Sequence, residues 1–176
     1  MRMKYLFPSL LVGLVMIGAW MGFSRYTTKQ ELELAYSSIP TIFLTSTDGG
    51  SVNLKTQGGG APFILIYFNS SCPICQSEAE LIERTFRADT FTRFLWVSSE
   101  SVEEIKEFSA LFKLDSLSSH HFYSDTLYSL ANAFKLTGVP ATFVYDAEGN
   151  LVDYALGAVS ISDLKLSIQK AHDRPR

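Results

Sequence analysis

Only two of the 176 residues are cysteine and only three are histidine. That scarcity narrows the chemistry before any motif is considered. Structural zinc takes four Cys or His ligands, commonly as two pairs. Here one pair, Cys72-x-x-Cys75, would have to recruit from His120, His121 and His172. The adjacent His120-His121 could approach the cysteines in space, but one strand-end histidine beside a solvated neighbour is the favoured reading. A structural staple is disfavoured too, because C-x-x-C closes a very short loop and loop-closure stabilisation grows with loop length. The chain also lacks any run of Lys or Arg, and its net charge is −3. That combination argues against a nucleic-acid partner. No internal repeat or low-complexity stretch occurs.

Charge is missing altogether from Tyr5 to Ser24, YLFPSLLVGLVMIGAWMGFS. About 20 helical residues span roughly 30 Å, the thickness of a bilayer's hydrocarbon core. Residues 1–26 are therefore expected to be an uncleaved N-terminal transmembrane anchor. Arg2 and Lys4 before the segment and Arg25 and Lys29 after it nearly balance, so orientation is only weakly encoded. The competitor is a cleaved signal peptide, with small residues at Gly22 and Ser24, although the apolar run exceeds a usual signal core. No cysteine lies near the segment's end, which excludes a lipoprotein anchor. Either way the domain is expected to be exported, if the cysteines are to cycle in an oxidising compartment.

The remaining chain is read as a linker or short helix at 27–38, a globular domain at 39–172 and a frayed tail at 173–176. The 47 % hydrophobic content suffices for one packed α/β domain without disulfides. TIFLTSTDGGSVNL is a hairpin about Asp48-Gly49-Gly50. FILIYF (63–68) is a continuous apolar run, as in a strand buried on both faces, and FTRFLWVS (91–98) reads as a second buried strand. The segment after Cys75 reads as a helix burying Ala79, Ile82 and Phe86, with Glu78, Glu80 and Glu83 mostly off that face. Ser101-x-x-Glu104 is a capping box opening a helix with an apolar stripe of Val102, Ile105, Phe108 and Phe112. HHFYS is a short strand, and 125–135 a helix with Leu127, Leu130, Ala131 and Phe134 inward. ATFVYDAEGNLVDYAL forms a hairpin, and a last helix buries Leu164, Ile168 and Ala171. Strands alternating with helices and closing on a hairpin predict an α/β fold with a central mixed sheet.

C-x-x-C thus falls where a buried strand meets a helix. Cys72 is expected at the helix start, with Pro73 at the first helical position, where its missing N–H costs nothing. Unpaired N–H groups and the helix dipole favour an anion there. Cys72 should accordingly have a lowered pKa and be the attacking sulfur, and Cys75, one turn on, the buried resolving one. Such a pair is a two-electron switch that needs no cofactor and no metal.

The chain resembles the thioredoxin superfamily over about residues 38 to 172, and within it the membrane-anchored, TlpA/ResA-like thiol–disulfide oxidoreductases. The likeness is carried by FILIYFNSSCPIC, CQSE and TGVPATFVYDAEGNLV. It implies a thioredoxin-like fold with an extra helix–strand unit at about 101–123. It also implies a cis Val139-Pro140 bond beside the cysteines, with Val139 presenting its main chain to substrate, and a proton-handling role for Glu78. The expected partners are protein thiols and disulfides and a membrane-bound or periplasmic electron donor. The expected location is the bacterial inner membrane, with the domain on the outer side and reductase the favoured direction. Two positions depart from the superfamily pattern. Ser71 stands where an aromatic residue is usual, and Ile66 where thioredoxin carries a buried acid. Two alternatives stay open. One is a peroxiredoxin-like peroxidase, whose chemistry favours Thr where this chain has Asn69. The other is a metallochaperone or binding module using Cys72, Cys75 and a histidine.

Overall fold

The computed structural model describes residues 6–174, and of residues 6–15, 25, 28 and 29 only the backbone. It divides into two units, 1–35 and 36–176. One continuous helix, α1 (Leu6–Tyr36), makes up the described part of the first and ends on the first residue of the second. The expected break into anchor and linker at 26/27 is absent, because Gln30 to Ala35 are strong helix formers with no Gly or Pro among them. The expected anchor begins outside the described residues. Among the described residues, no helix is long and apolar enough to cross a membrane.

The second unit starts at Tyr36, three residues before the expected boundary. Its centre is a seven-stranded mixed sheet in the order β2-β1-β5-β4-β3-β6-β7. The strands are β1 (Phe43–Ser46), β2 (Ser51–Asn53), β3 (Phe63–Phe68), β4 (Arg93–Ser98), β5 (His120–Ser124), β6 (Ala141–Tyr145) and β7 (Leu151–Leu156). β3, β4 and β5 run parallel, while β6 is antiparallel to β3 and β7 to β6. The helices are α2 (Pro73–Phe86), α3 (Val102–Leu111), α4 (Ser129–Ala133) and α5 (Ile161–Asp173).

Side chains alternate across each strand. Ile64, Ile66 and Phe68 of β3, Phe94 and Trp96 of β4 and Val144 of β6 join Ala79 and Ile82 of α2, Ile105 and Phe108 of α3 and Leu164 and Ile168 of α5 in one core. The opposite face gathers Tyr36, Phe134 and Phe143, whose rings meet edge-to-face at centroid distances of 4.8–5.3 Å. Both faces being covered explains why β3 is buried at every position and reads as an unbroken apolar run.

Several local expectations are met. The hairpin at 43–53 pairs Leu44 with Val52. Both arms of the Ser101/Glu104 capping box are present. Others change. The helix expected over 125–135 shrinks to α4, because the Asp125 carboxylate accepts the N–H groups of Ser129, Leu130 and Ala131 and so fixes the start after Tyr128. Leu127, expected inward, is 83 % exposed. Glu78 and Glu83, expected off the buried face of α2, are both buried, Glu83 while paired with Arg87. In the tail, Arg174 is held by Asp146 at 3.2 Å and by the Leu151 carbonyl at 3.1 Å.

Candidate active site

β3 ends at Phe68, and a short loop carries the chain into α2. Asn69 Oδ1 accepts the N–H and the hydroxyl of Ser71 at 3.1 and 2.6 Å, closing a tight turn. Ser70 donates its N–H (2.8 Å) and hydroxyl (2.6 Å) to the Glu100 carboxylate, which also accepts from Ser98 at the end of β4. Gln76 returns from α2 to the Ser70 carbonyl at 2.8 Å. The loop before the cysteines is thus tied to both neighbouring elements. Cys72 is the N-cap residue of α2 with extended backbone, and Pro73 opens the helix.

The two sulfurs occupy different surroundings. Cys72 is half-buried and Cys75 only 1 % exposed, and both are free thiols. Burial pushes the Cys72 thiol up. Hydrogen bonds from the backbone and thiol of Cys75 and from the Ile74 backbone outweigh it, against the opposing charge of Glu78, and the net pKa lies below the ordinary thiol value. Burial pushes Cys75 up to about 12, with Cys72 and Glu78 adding to the rise and an Asn69 backbone hydrogen bond opposing it.

Val139-Pro140 is a cis bond in the loop entering β6. The Val139 carbonyl lies 3.9 Å from Cys72 Sγ, and the Pro140 carbonyl accepts the N–H of Gly157 at 2.8 Å. Residues 67 positions apart in sequence therefore meet, because β6 lies beside β3 in the sheet. Glu78, one turn after Cys75, is 5 % exposed. Its Oε1 accepts the hydroxyl of Thr142 at 3.0 Å, while Oε2 is buried with no hydrogen-bond partner. Burial pushes its carboxyl up to about 7, with the Thr142 hydrogen bond opposing.

Thr142 pairs with Ile66 across the sheet. The position at which thioredoxin carries a buried acid is apolar here, and an acid reaches the same row of the sheet from α2 instead. Thr142 and Glu100 were not singled out from the sequence. Thr142 carries a signal there, as the one polar residue inside the apolar run ATFVY. Glu100 carries none, since it sits in a polar loop, VSSES.

The histidines do not join the cysteines. His120 is in register with Phe94 and Ile64, at the end of the parallel strands opposite to the one that feeds Cys72. Its Nδ1 accepts the Trp96 indole N–H at 2.9 Å. Among the described residues, no cluster of three or more His, Cys, Asp or Glu side chains is arranged for a metal ion.

A half-buried thiol at a helix N-terminus, a buried partner one turn on and a cis-proline carbonyl beside them, on a sheet of this order, define a thioredoxin-like fold. Solved structures agree. A secreted disulfide oxidoreductase of Mycobacterium tuberculosis homologous to E. coli DsbE is 18 % identical, with 74 % of this chain and 96 % of that one covered at a TM-score of 0.63. A thiol:disulfide interchange protein of the thioredoxin family from Chlorobium tepidum is 23 % identical, covering 77 % and 95 % at 0.59. A peroxiredoxin 6 variant from Arenicola marina is 18 % identical, covering 78 % and 72 % at 0.63. No curated protein matches the sequence. Residues 36–154 match the AhpC/TSA family, and the chain belongs to it, within the thioredoxin superfamily of thiol–disulfide oxidoreductases.

Proposed function

We propose that this chain is an exported, membrane-anchored disulfide reductase of protein substrates, with Cys72 as nucleophile, Cys75 as resolving thiol, Val139 and Pro140 as the main-chain rest for substrate, and Glu78 as proton acceptor. The contrast between the two sulfurs carries the reading. A substrate disulfide is attacked by the Cys72 thiolate, forming a mixed disulfide and expelling one substrate thiolate. Cys75 passes its proton to Glu78 and attacks Cys72 Sγ, which expels the second substrate thiolate and leaves a Cys72–Cys75 disulfide. Two electrons go to the substrate, and a membrane-bound or periplasmic donor restores the dithiol.

The reductive direction is supported by the charge around Cys72. Strong oxidants of this fold owe their potential to a reduced form stabilised as thiolate. Among the described residues, the charge that acts on Cys72 is that of Glu78, and it opposes the thiolate. Anchoring is supported by the uncharged stretch from Tyr5 to Ser24 and by exposed Met16, Ile17, Trp20, Met21 and Phe23 on α1.

The reduction potential of the Cys72–Cys75 couple tests the direction. A value near roughly −270 mV, with insulin reduced by the dithiol, is expected. One near roughly −120 mV overturns the reductase reading in favour of an oxidase. Rapid turnover of hydrogen peroxide by the dithiol would favour the peroxidase alternative, against which Asn69 is committed to its turn with Ser71. Tight copper binding without insulin reduction would favour a metallochaperone. For the anchor, a mature N-terminus at Arg25 in native protein would mean a cleaved signal instead.

A further inference from the structure

Glu78 is almost wholly buried, so a proton it takes from Cys75 needs a way out. The route past the sulfurs is closed on one side by buried Cys75 and, during turnover, by the substrate on Cys72. The other side of the carboxyl is different. Its Oε1 is bonded to Thr142 Oγ1, and Thr142 lines a cavity of about 280 Å³ between β6, β7 and α5. Buried Thr142 and Val144 face its inner part, and exposed Asp153, Ser160 and Asp163 reach its mouth. None of Cys72, Cys75, Val139 and Pro140 lines it.

We propose that Thr142 is a positioning residue that passes protons between Glu78 and this cavity, so that the site exchanges protons with solvent by a path separate from the surface that meets substrate. The inference rests on the oxidoreductase reading of Cys72 and Cys75. In the step, protonated Glu78 gives its proton to Thr142 Oγ1 while the Thr142 hydroxyl gives its own to a water in the cavity. One proton moves outward and no electrons move. The transfer leaves the hydroxyl donating to the carboxylate, the arrangement seen at 3.0 Å, and the hydroxyl turns toward the cavity water again before the next proton leaves.

The groups around Glu78 are compatible with this direction of flow. On its own helix, Cys72 and Cys75 feel its charge. β3 offers only Ile64, Ile66 and Phe68 to this core. Across the cavity stand Asp153 and Tyr154 on β7 and Asp163 on α5, with Asp153 Oδ2 accepting the Ser167 hydroxyl at 2.6 Å. Two carboxylates at the mouth attract cations, protons included.

The test replaces the hydroxyl at constant shape. Thr142→Val is expected to slow the resolution of a Cys72 mixed disulfide about tenfold at pH 6–8, less than the roughly 10²–10⁴-fold that a positioned acid or base itself contributes, since Glu78 remains. It should also raise the midpoint at which the Glu78 carboxyl band titrates in infrared spectra, while alkylation of Cys72, whose thiolate the Glu78 charge opposes, does not slow. Thr142→Ser should restore both. Ala155→Leu, which narrows the cavity opposite Thr142 and leaves the hydroxyl, should slow resolution without moving the midpoint. Wild-type resolution in both Thr142→Val and Ala155→Leu overturns the path, and an unchanged infrared midpoint in Thr142→Val overturns the role of Thr142. Failure of the wild-type dithiol to reduce insulin would instead remove the disulfide-reductase reading, and the infrared midpoint would still judge Thr142.

Discussion

At the scale of single residues, the two sulfurs differ by one helical turn and by almost everything else. Cys72 meets the N–H groups at the start of α2, where an anion is stabilised. Cys75 lies in the core, where an anion is not. Cys75→Ser is therefore expected to accumulate covalent complexes with partner proteins, since nothing then resolves the mixed disulfide, and Cys72→Ser to accumulate almost none. Non-reducing gels of cells expressing each variant would show it, and equal trapping by the two would contradict the division of roles. Glu78 gives a second prediction, through pH. Its carboxyl is raised from 4.5 to about 7, so between those values the folded state holds a proton that the unfolded state has lost. Stability should consequently fall as pH rises through this window, by about 3 kcal/mol once pH exceeds 7. Glu78→Gln should remove that decline, as read from urea midpoints at pH 5 and 8, and an equal decline in the variant would assign the effect elsewhere. His120 acts at the other end. Burial, with His121 beside it, lowers His120 to about 3, so it withdraws stability as pH falls below the ordinary histidine value of about 6.5.

At the scale of elements, the site is a meeting of two loops on neighbouring strands, and carboxylates fix the loop before Cys72 and, elsewhere on the sheet, the start of α4. Glu100 ties Ser70 to the end of β4. Asp125 does the same work after β5, accepting three backbone N–H groups of α4 and the Tyr67 hydroxyl. Asp125→Ala leaves those donors without a partner in a buried place and is expected to cost about 2–4 kcal/mol. Chemical denaturation would measure it; a loss below 0.5 kcal/mol would mean that water replaces the carboxylate. These two residues also mark where the sequence stops being legible. Strands β3 and β4, the capping box of α3 and the hairpin of β6 and β7 follow from local pattern, because burial and turn chemistry act within a few residues. The C-x-x-C junction was readable for the same reason, and Pro140 only through a family resemblance. Asp125, Glu100 and Thr142 act on partners distant in sequence or on backbone donors, and nothing in their neighbours' pattern announces a carboxylate that folds inward. Leu127 was misplaced because helical spacing was extended through the residues that Asp125 keeps out of the helix.

At the scale of the whole molecule, the chain has two parts with different physical problems. The first presents apolar side chains such as Trp20, 71 % exposed, and Phe23, 68 % exposed. The second is a closed two-layered core about a sheet. The boundary between them falls at Tyr36, a place that composition did not mark. Tyr36 is fully buried among Phe134, Phe143 and Tyr154, and its carbonyl accepts the Tyr145 hydroxyl at 3.0 Å. Ser37 likewise offers its carbonyl to Leu151 at 3.0 Å, and Ser38 bridges to Asn150. A chain beginning at Tyr36 keeps every one of these contacts and should fold cooperatively, with the Cys72–Cys75 couple at its full-length potential. A chain beginning at Ile39 loses the aromatic plug and both backbone ties. By the usual cost of emptying a large aromatic site it should be about 3–5 kcal/mol less stable. The comparison is a pair of urea titrations on the reduced proteins. Equal midpoints would place the domain boundary at 39 after all and make Tyr36 a passenger on the helix. A chain from Tyr36 that cannot fold would mean that the first unit contributes to the stability of the second.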